Sequence, residues 1–263
     1  MTRGTAACDE PPVLRSVSDL EATLRDLSDV EGWLSEGQAG RLWEAARAVP
    51  PGGRIVEIGS FRGRSTIVLR RAADPAVGVV AIDPHGGGDR GPQEIAPDAA
   101  LGERDHEAFR RNLERAGLSE AVRHVRRPSY EALEEVTGPV DLLYVDGAHR
   151  YRPARADIAG WGARVRPGGR MLVHDAYNAI GVTLAQLRLL FLSREWRYVR
   201  RTRSLAEYRK EPLGGGKWLG NLVRQLTGLP YFVRNGLIKL ALLARLRPVA
   251  RLMGQPDSDE WPY

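Results

Sequence analysis

The run Arg54-Ile55-Val56-Glu57-Ile58-Gly59, followed at once by Ser60-Phe61-Arg62-Gly63-Arg64-Ser65, decides the fold. A short β-branched strand ends on a glycine and a tight turn carries a second glycine. Residues 63–73 then show helical periodicity through Ile67, Val68 and Leu69 until Asp74-Pro75 stops it. The reading is one strand, a glycine loop and one helix.

Working outward, the alternation repeats. Strands are expected at 77–82, 122–126, 140–145 and 169–173, and helices at 103–116, 130–136, 153–165 and 179–192. Five β-then-α units predict a doubly wound α/β fold with helices on both faces of a mostly parallel sheet. The unbroken apolar run Leu142-Leu143-Tyr144-Val145 fits a strand buried on both sides. Two more strands, 196–200 and 204–208, are separated only by residues 201–203, which is too short for a parallel crossover. One of the two must run antiparallel, giving seven strands in all.

Three segments follow from this: N-terminal helices within 1–50, ending at Pro50-Pro51-Gly52-Gly53, an α/β domain over 51–210, and a helical tail over 211–263. The glycine- and proline-rich connection 85–100 is long for a compact domain and reads as a lid or binding loop.

The chain has 39 Lys+Arg, 33 Asp+Glu and a net charge of +6. Residues 200–263 hold 12 basic and 5 acidic residues, so the tail carries the whole excess. Three lysines against 36 arginines look like a genome-wide bias, so arginine content is discounted as a nucleic-acid signal and no nucleic-acid partner is expected. The single cysteine, Cys8, excludes an intrachain disulfide and a cysteine metal cluster. With residues 1–12 polar, no signal peptide is expected and the setting reads as cytoplasmic.

Ligands of open α/β sheets bind beyond the carboxyl ends of the strands, which is where the glycine loop lies. A dinucleotide fingerprint needs glycine where Phe61 stands, and a phosphate loop needs Gly59 and Gly63 one residue further apart and a lysine at Arg64, so NAD and nucleoside triphosphates are disfavoured. The next strand ends in Asp83, suited to accept ribose hydroxyls; capping the turn at Pro84 is its other reading.

Glu57 to Thr66, Ala81-Ile82-Asp83-Pro84, Asp141 to Tyr151 with Asp157 and Trp161, Pro167-Gly168-Gly169 and His174-Asp175 fall in this order along the chain. In that ordering the sequence resembles class I S-adenosylmethionine-dependent methyltransferases, including sugar and other small-molecule O-methyltransferases of bacterial secondary metabolism. The resemblance spans roughly residues 32–208 and leaves out the tail. It implies an S-adenosylmethionine pocket of Glu57, Gly59, Ser60, Gly63, Ser65 and Asp83, with Glu57 toward the cationic amino end of the cofactor and Ser129 near the adenine. It also implies a small-molecule or sugar acceptor, with Asp146 and Asp175 at the tips of the fourth and fifth strands facing the transferred methyl group.

Two routes for activating an acceptor hydroxyl stay open. Mg2+ held by Asp146 and Asp175 lowers its pKa, or His149 or His174 takes its proton. Metal-dependent relatives carry Asp-Asn after the fifth strand, whereas this chain reads His174-Asp175-Ala176, so the third ligand is either missing or His174. Trp161 reads as core, while His85, His106 and His124 are unassigned.

Residues 213–255 contain no Asp or Glu, and their basic residues alternate with apolar ones; Trp218, Leu219, Leu222, Val223 and Leu226 are read as one helical face. Such a tail suggests docking on an anionic inner-membrane surface. Packing on the domain or building a homo-oligomer is the competing reading. Two rivals to methyl transfer are a non-methylating metal-dependent relative that partners a hydroxylase, and a membrane-surface adaptor that keeps the fold without turnover.

Overall fold

Alternation along one strand sets up the two sides of the molecule. In the computed structural model, which describes residues 17–90, 93–94 and 96–255, every residue of the stretch Val140–Val145 is buried. Leu142 and Tyr144 point into one apolar cluster, Leu143 and Val145 into the other. Cys8 and the polar start of the chain lie outside the described residues.

In chain order the elements are α1 (Val17–Asp26), α2 (Glu36–Arg47), β1 (Arg54–Ile58), α3 (Arg64–Ala72), β2 (Gly78–Ile82), β3 (Asp89–Arg90), β4 (Gln93–Glu94), α4 (Ala99–Arg115), β5 (Arg123–Val125), α5 (Ser129–Glu135) and β6 (Val140–Val145). They continue with α6 (Tyr151–Arg164), β7 (Val165–Val173), α7 (Ile180–Gln186) running into a π-helical turn (Leu187–Phe191), β8 (Trp196–Thr202), β9 (Leu205–Lys210), α8 (Gly215–Leu226), α9 (Leu229–Leu243) and α10 (Arg247–Leu252).

Seven strands form one sheet in the order β5-β2-β1-β6-β7-β9-β8. The first five are parallel, and β9 is antiparallel to both β7 and β8, as the short gap before it requires. The order reverses between β1 and β6, which puts a topological switch point beside the glycine loop.

Some boundaries differ from expectation for identifiable reasons. Strand β7 begins at Val165, four residues early, because the β6–β7 pairing absorbs Pro167-Gly168-Gly169 through a register shift between Val140 and Leu142. Helix α4 starts at Ala99, where the Asp98 side chain accepts from Leu101 N–H at 3.0 Å. The long connection contains the small β3–β4 hairpin. The last turn after α7 is π-helical, and the Gln225 amide, reaching over from α8, donates to the Leu190 and Phe191 carbonyls there.

The flanking segments contribute to the same core. Leu42, Trp43 and Ala46 of α2 bury with Ile67 and Leu69 of α3 on one face of the sheet. On the other face, Leu222 of α8 and Leu229, Tyr231 and Phe232 of α9 pack against the cluster containing Trp161, Phe191 and Tyr208. Trp161 is core, as expected.

Candidate active site

Four strand ends meet at the carboxyl edge of the sheet: Gly59 after β1, Asp83 after β2, Asp146 after β6 and His174-Asp175 after β7. They frame a cleft of about 350 Å³, also lined by Ser60, Ser65, Ser129 and His149. Residues from five stretches that are remote in sequence therefore share one cavity.

The glycine loop owes its glycines to the protein's own backbone. Gly59 has φ +86°, and a Cβ on it would lie 2.0 Å from the Asp146 carbonyl oxygen, so β1 and β6 approach this closely only with glycine. Gly63, at φ +87°, caps α3, and a Cβ there would press on Phe109 at 3.2 Å; it does not line the cleft.

Glu57 also stands behind the cleft wall. It is fully buried, and its two carboxylate oxygens accept from the Ser65 and Thr66 hydroxyls. Burial pushes its pKa up to about 8, with Asp146 and Asp83 adding to the rise and the two hydroxyls opposing it. The carboxyl braces the loop from below, while Ser65 reaches the cleft surface.

Asp83 does line the cleft. Its oxygens accept the backbone N–H groups of Phe61 at 2.8 Å and His85 at 2.7 Å, which is the turn-capping role, and each oxygen keeps a second lone pair for a ligand. The Ser129 hydroxyl donates to Asp157, whose burial lifts its pKa to about 6 against the opposing effect of that bond. The Ser60 hydroxyl is buried and has no hydrogen-bond partner among the described residues.

The strand-tip groups form a compact charged cluster. His149 Nε2 lies 2.8 Å from Asp175 Oδ2, the Asn178 amide donates to Asp175 Oδ1 at 2.9 Å, and the Tyr144 hydroxyl donates to Asp146 at 2.7 Å. His174 Nδ1 sits 3.1 Å from Asp146 and 3.5 Å from Asp175, near enough for ion pairing but off a hydrogen-bond line. Burial opposes a charge on Asp175, yet His174 and His149 outweigh it and hold the carboxyl well below the usual range. Burial likewise opposes protonation of His149, but the Asp175 hydrogen bond and charge raise its pKa above the ordinary value. For His174, Asp146 and Asp175 act against burial and favour the charged ring, while the Gln38 amide, a donor facing Nε2, favours the neutral one.

Asp146, His149 and Asp175 each offer one donor atom within 4.8 Å of the others, the spacing of a metal site. His174 stands outside that group. Its Nε2 is 3.1 Å from the Gln38 amide nitrogen, and its Nδ1 is buried between the two carboxylates.

Several contributors carry no motif. Gln38 reaches the site from α2, and Trp33, Arg64 and Arg150 line the cleft. The Ser35-x-x-Gln38 spacing is legible as a capping box, but nothing in it points to His174. His85 and His124 pack on Phe109, His106 packs on both of these histidines, and His85, which also lines the cleft, donates through Nε2 to the Phe61 carbonyl at 2.8 Å, which stiffens the glycine loop.

Residues 56–176 match the family model described as a methyltransferase domain. The catechol O-methyltransferase of Mycobacterium tuberculosis is 31% identical over 134 residues, covering 51% of this chain and 52% of that protein. An uncharacterized protein of Sinorhizobium fredii, y4gI, is 31% identical over 150 residues, covering 54% of this chain and 15% of its own length. The chain thus spans about half the length of the first of these relatives and a small part of the second.

Among solved structures, an O-methyltransferase from Bacillus cereus in complex with S-adenosylhomocysteine aligns with TM-score 0.54 and 18% identity, covering 76% of this chain and 93% of that one. The O-methyltransferase TomG from Streptomyces achromogenes, in complex with S-adenosylmethionine, aligns with TM-score 0.52 and 21% identity over 75% and 89%. These similarities concern the fold. Residues 56–176 are thus similar to a methyltransferase domain, and the chain has the Rossmann-like fold of the O-methyltransferases with which it aligns.

Proposed function

We propose that this protein transfers a methyl group from S-adenosylmethionine to a hydroxyl of a small-molecule or sugar acceptor, with His149 taking the acceptor's proton and Asp175 holding His149 in place. The observation that carries this reading is the 2.8 Å contact between His149 Nε2 and Asp175 Oδ2, in the cleft that the glycine loop and Asp83 also line.

The cavity suits such a cofactor on three counts. Its volume falls in the range of small-ligand sites. The unpartnered Ser60 hydroxyl and the remaining lone pairs of Asp83 are polar groups left for a ligand to use. Asp83, Asp146 and Asp157 give the lining an acidic character that favours a cationic ligand. When bound, S-adenosylmethionine supplies a methyl group already activated on a sulfonium, so the residues have only to orient the acceptor and remove its proton.

His149 donates through Nε2 to Asp175, which leaves Nδ1 as the basic nitrogen. Asp175 is itself fixed by Asn178, so the pair cannot drift. Calorimetry with S-adenosylmethionine, followed by a screen of hydroxylated acceptors for released S-adenosylhomocysteine, tests the reading. Tight binding without release with any acceptor favours the non-turning-over rivals, and absence of binding sinks the proposal.

The donor spacing of Asp146, His149 and Asp175 favours a second route to the same product, in which these three hold a divalent cation that acidifies the acceptor hydroxyl. Two carboxylates and an imidazole fit Mg2+ less well than an all-oxygen set, and ligation requires giving up the His149–Asp175 bond. Activity that survives exhaustive chelation assigns the proton to His149.

A further inference from the structure

The tail helices carry amides on the inside and leucines on the outside. On α8, Asn221 is 4% exposed; it accepts the Tyr198 N–H at 2.7 Å and donates to the Trp196 carbonyl at 3.1 Å. Gln225 is fully buried on the π-helical turn. Leu219, Val223 and Leu226, at i, i+4 and i+7, are 56%, 53% and 42% exposed. Trp218 does not share their face: its Nε1 donates to the Leu192 carbonyl.

Helix α9 repeats the pattern. Asn235 is fully buried, with Nδ2 3.3 Å from Asn178 Oδ1, and Lys239 donates to the Asn178 carbonyl at 3.0 Å. Val233, Leu237 and Leu240 form an outward stripe at the same spacing, and Leu243, Leu246, Val249 and Leu252 extend the exposed series through α10. Scattered exposed leucines are ordinary, but stripes on successive helices mark a surface that something covers.

Charge identifies what covers it. Residues 213–255 hold seven basic side chains and no acidic one, and Lys217, Arg224, Arg245, Arg247 and Arg251 are exposed among the apolar positions. A two-fold interface sets a patch against itself, so a second copy would bring one wholly basic segment onto another. An anionic surface with an apolar layer beneath it satisfies both features. We propose that α8–α10 dock on an anionic phospholipid bilayer, with the exposed Leu and Val side chains at the headgroup–acyl boundary and the basic residues among the phosphates. Among the described residues no helix is long and apolar enough to cross a membrane, so these helices lie on it. Because Asn235 bonds to Asn178 and Asn178 to Asp175, the docked helices carry the cleft with them.

The test is co-sedimentation of the full chain with phosphatidylglycerol-containing vesicles and with phosphatidylcholine vesicles. The expected result is several times stronger binding to the anionic vesicles, weakening as salt rises from ~0.1 M to ~0.5 M. Leu237→Ser with Leu240→Ser, both exposed, should cut partitioning by on the order of a hundredfold while the melting temperature holds. Arg224→Glu with Arg245→Glu should abolish the preference for anionic lipid. Failure of the full chain to bind anionic vesicles, or binding indifferent to both pairs of substitutions, overturns the proposal. So does a dimer in sedimentation velocity that the double serine variant breaks, since that assigns the face to a second copy.

Discussion

The amide of Gln38, on the second N-terminal helix, points its nitrogen at Nε2 of His174, 3.1 Å away at the tip of the fifth parallel strand. The orientation of the amide is determined by its other partners. Gln38 Oε1 accepts the Ser35 backbone N–H at 2.9 Å in the capping box, and Nε2 donates to the Ser204 hydroxyl at 3.0 Å. His174 Nε2 is therefore the acceptor, and the first ring proton belongs on Nδ1, facing Asp146 and Asp175.

A tautomer prediction follows. Nitrogen NMR of the wild-type protein should find His174 Nε2 in the unprotonated range. Gln38→Glu, which replaces the donor with an acceptor, should move that nitrogen into the protonated range and make the ring an imidazolium. A wild-type spectrum with Nε2 protonated would contradict this assignment.

His149 should set the acid limb of the pH–rate profile. The Asp175 carboxylate raises its pKa, so turnover should climb with pH through a value above the ordinary histidine pKa of about 6.5. Asp175→Asn removes the anion that favours the protonated ring and should shift the limb to lower pH while reducing the maximal rate. His149→Ala should lower kcat by roughly a hundred- to ten-thousandfold with little change in cofactor affinity. A His149→Ala enzyme with normal kcat would remove the base from this position.

Much of this site was legible in the sequence because strand tips in a doubly wound sheet converge. Once Gly59, Asp83, Asp146 and Asp175 were placed at strand ends, topology brought them to one edge. What sequence patterning cannot supply is the direction of a side chain. Glu57 sits one position before the strand ends, and the alternation of the strand turns it inward onto Ser65 and Thr66. Gln38 lies 136 residues from His174, so only tertiary packing reveals their contact. The apolar residues of the tail were legible, but not which of them face out, because buried Asn221 and Gln225 invert the usual amphipathic reading.

The buried carboxyl of Glu57 should make the fold sensitive to alkali. Its folded pKa, about 8, is above that of an exposed glutamate, so the folded state binds the proton more tightly than the unfolded chain. The resulting stabilisation is complete below the unfolded pKa and is lost as pH rises through about 8. Between about pH 7 and pH 9 the loss should be roughly 1 kcal/mol. Glu57→Gln keeps the shape and has no proton to lose, so its denaturant midpoint should stay flat over that window. Parallel pH dependence in both proteins would locate the alkaline effect elsewhere.

Two glycine substitutions separate backbone strain from steric exclusion. Gly52 and Gly59 both have positive φ, +77° and +86°, but a Cβ on Gly52 meets nothing within 4 Å, while one on Gly59 would lie 2.0 Å from the Asp146 carbonyl oxygen. Gly52→Ala should therefore cost only the left-handed penalty, about 1 kcal/mol. Gly59→Ala has to push β6 away from β1 at the point where Asp146 N–H bonds the Ile58 carbonyl at 2.8 Å. It should cost upward of ~3 kcal/mol and displace Asp146 from the cluster it shares with His174. Chemical denaturation of the two variants side by side checks the contrast, and equal losses would mean that the β1–β6 approach is looser than the strand geometry implies.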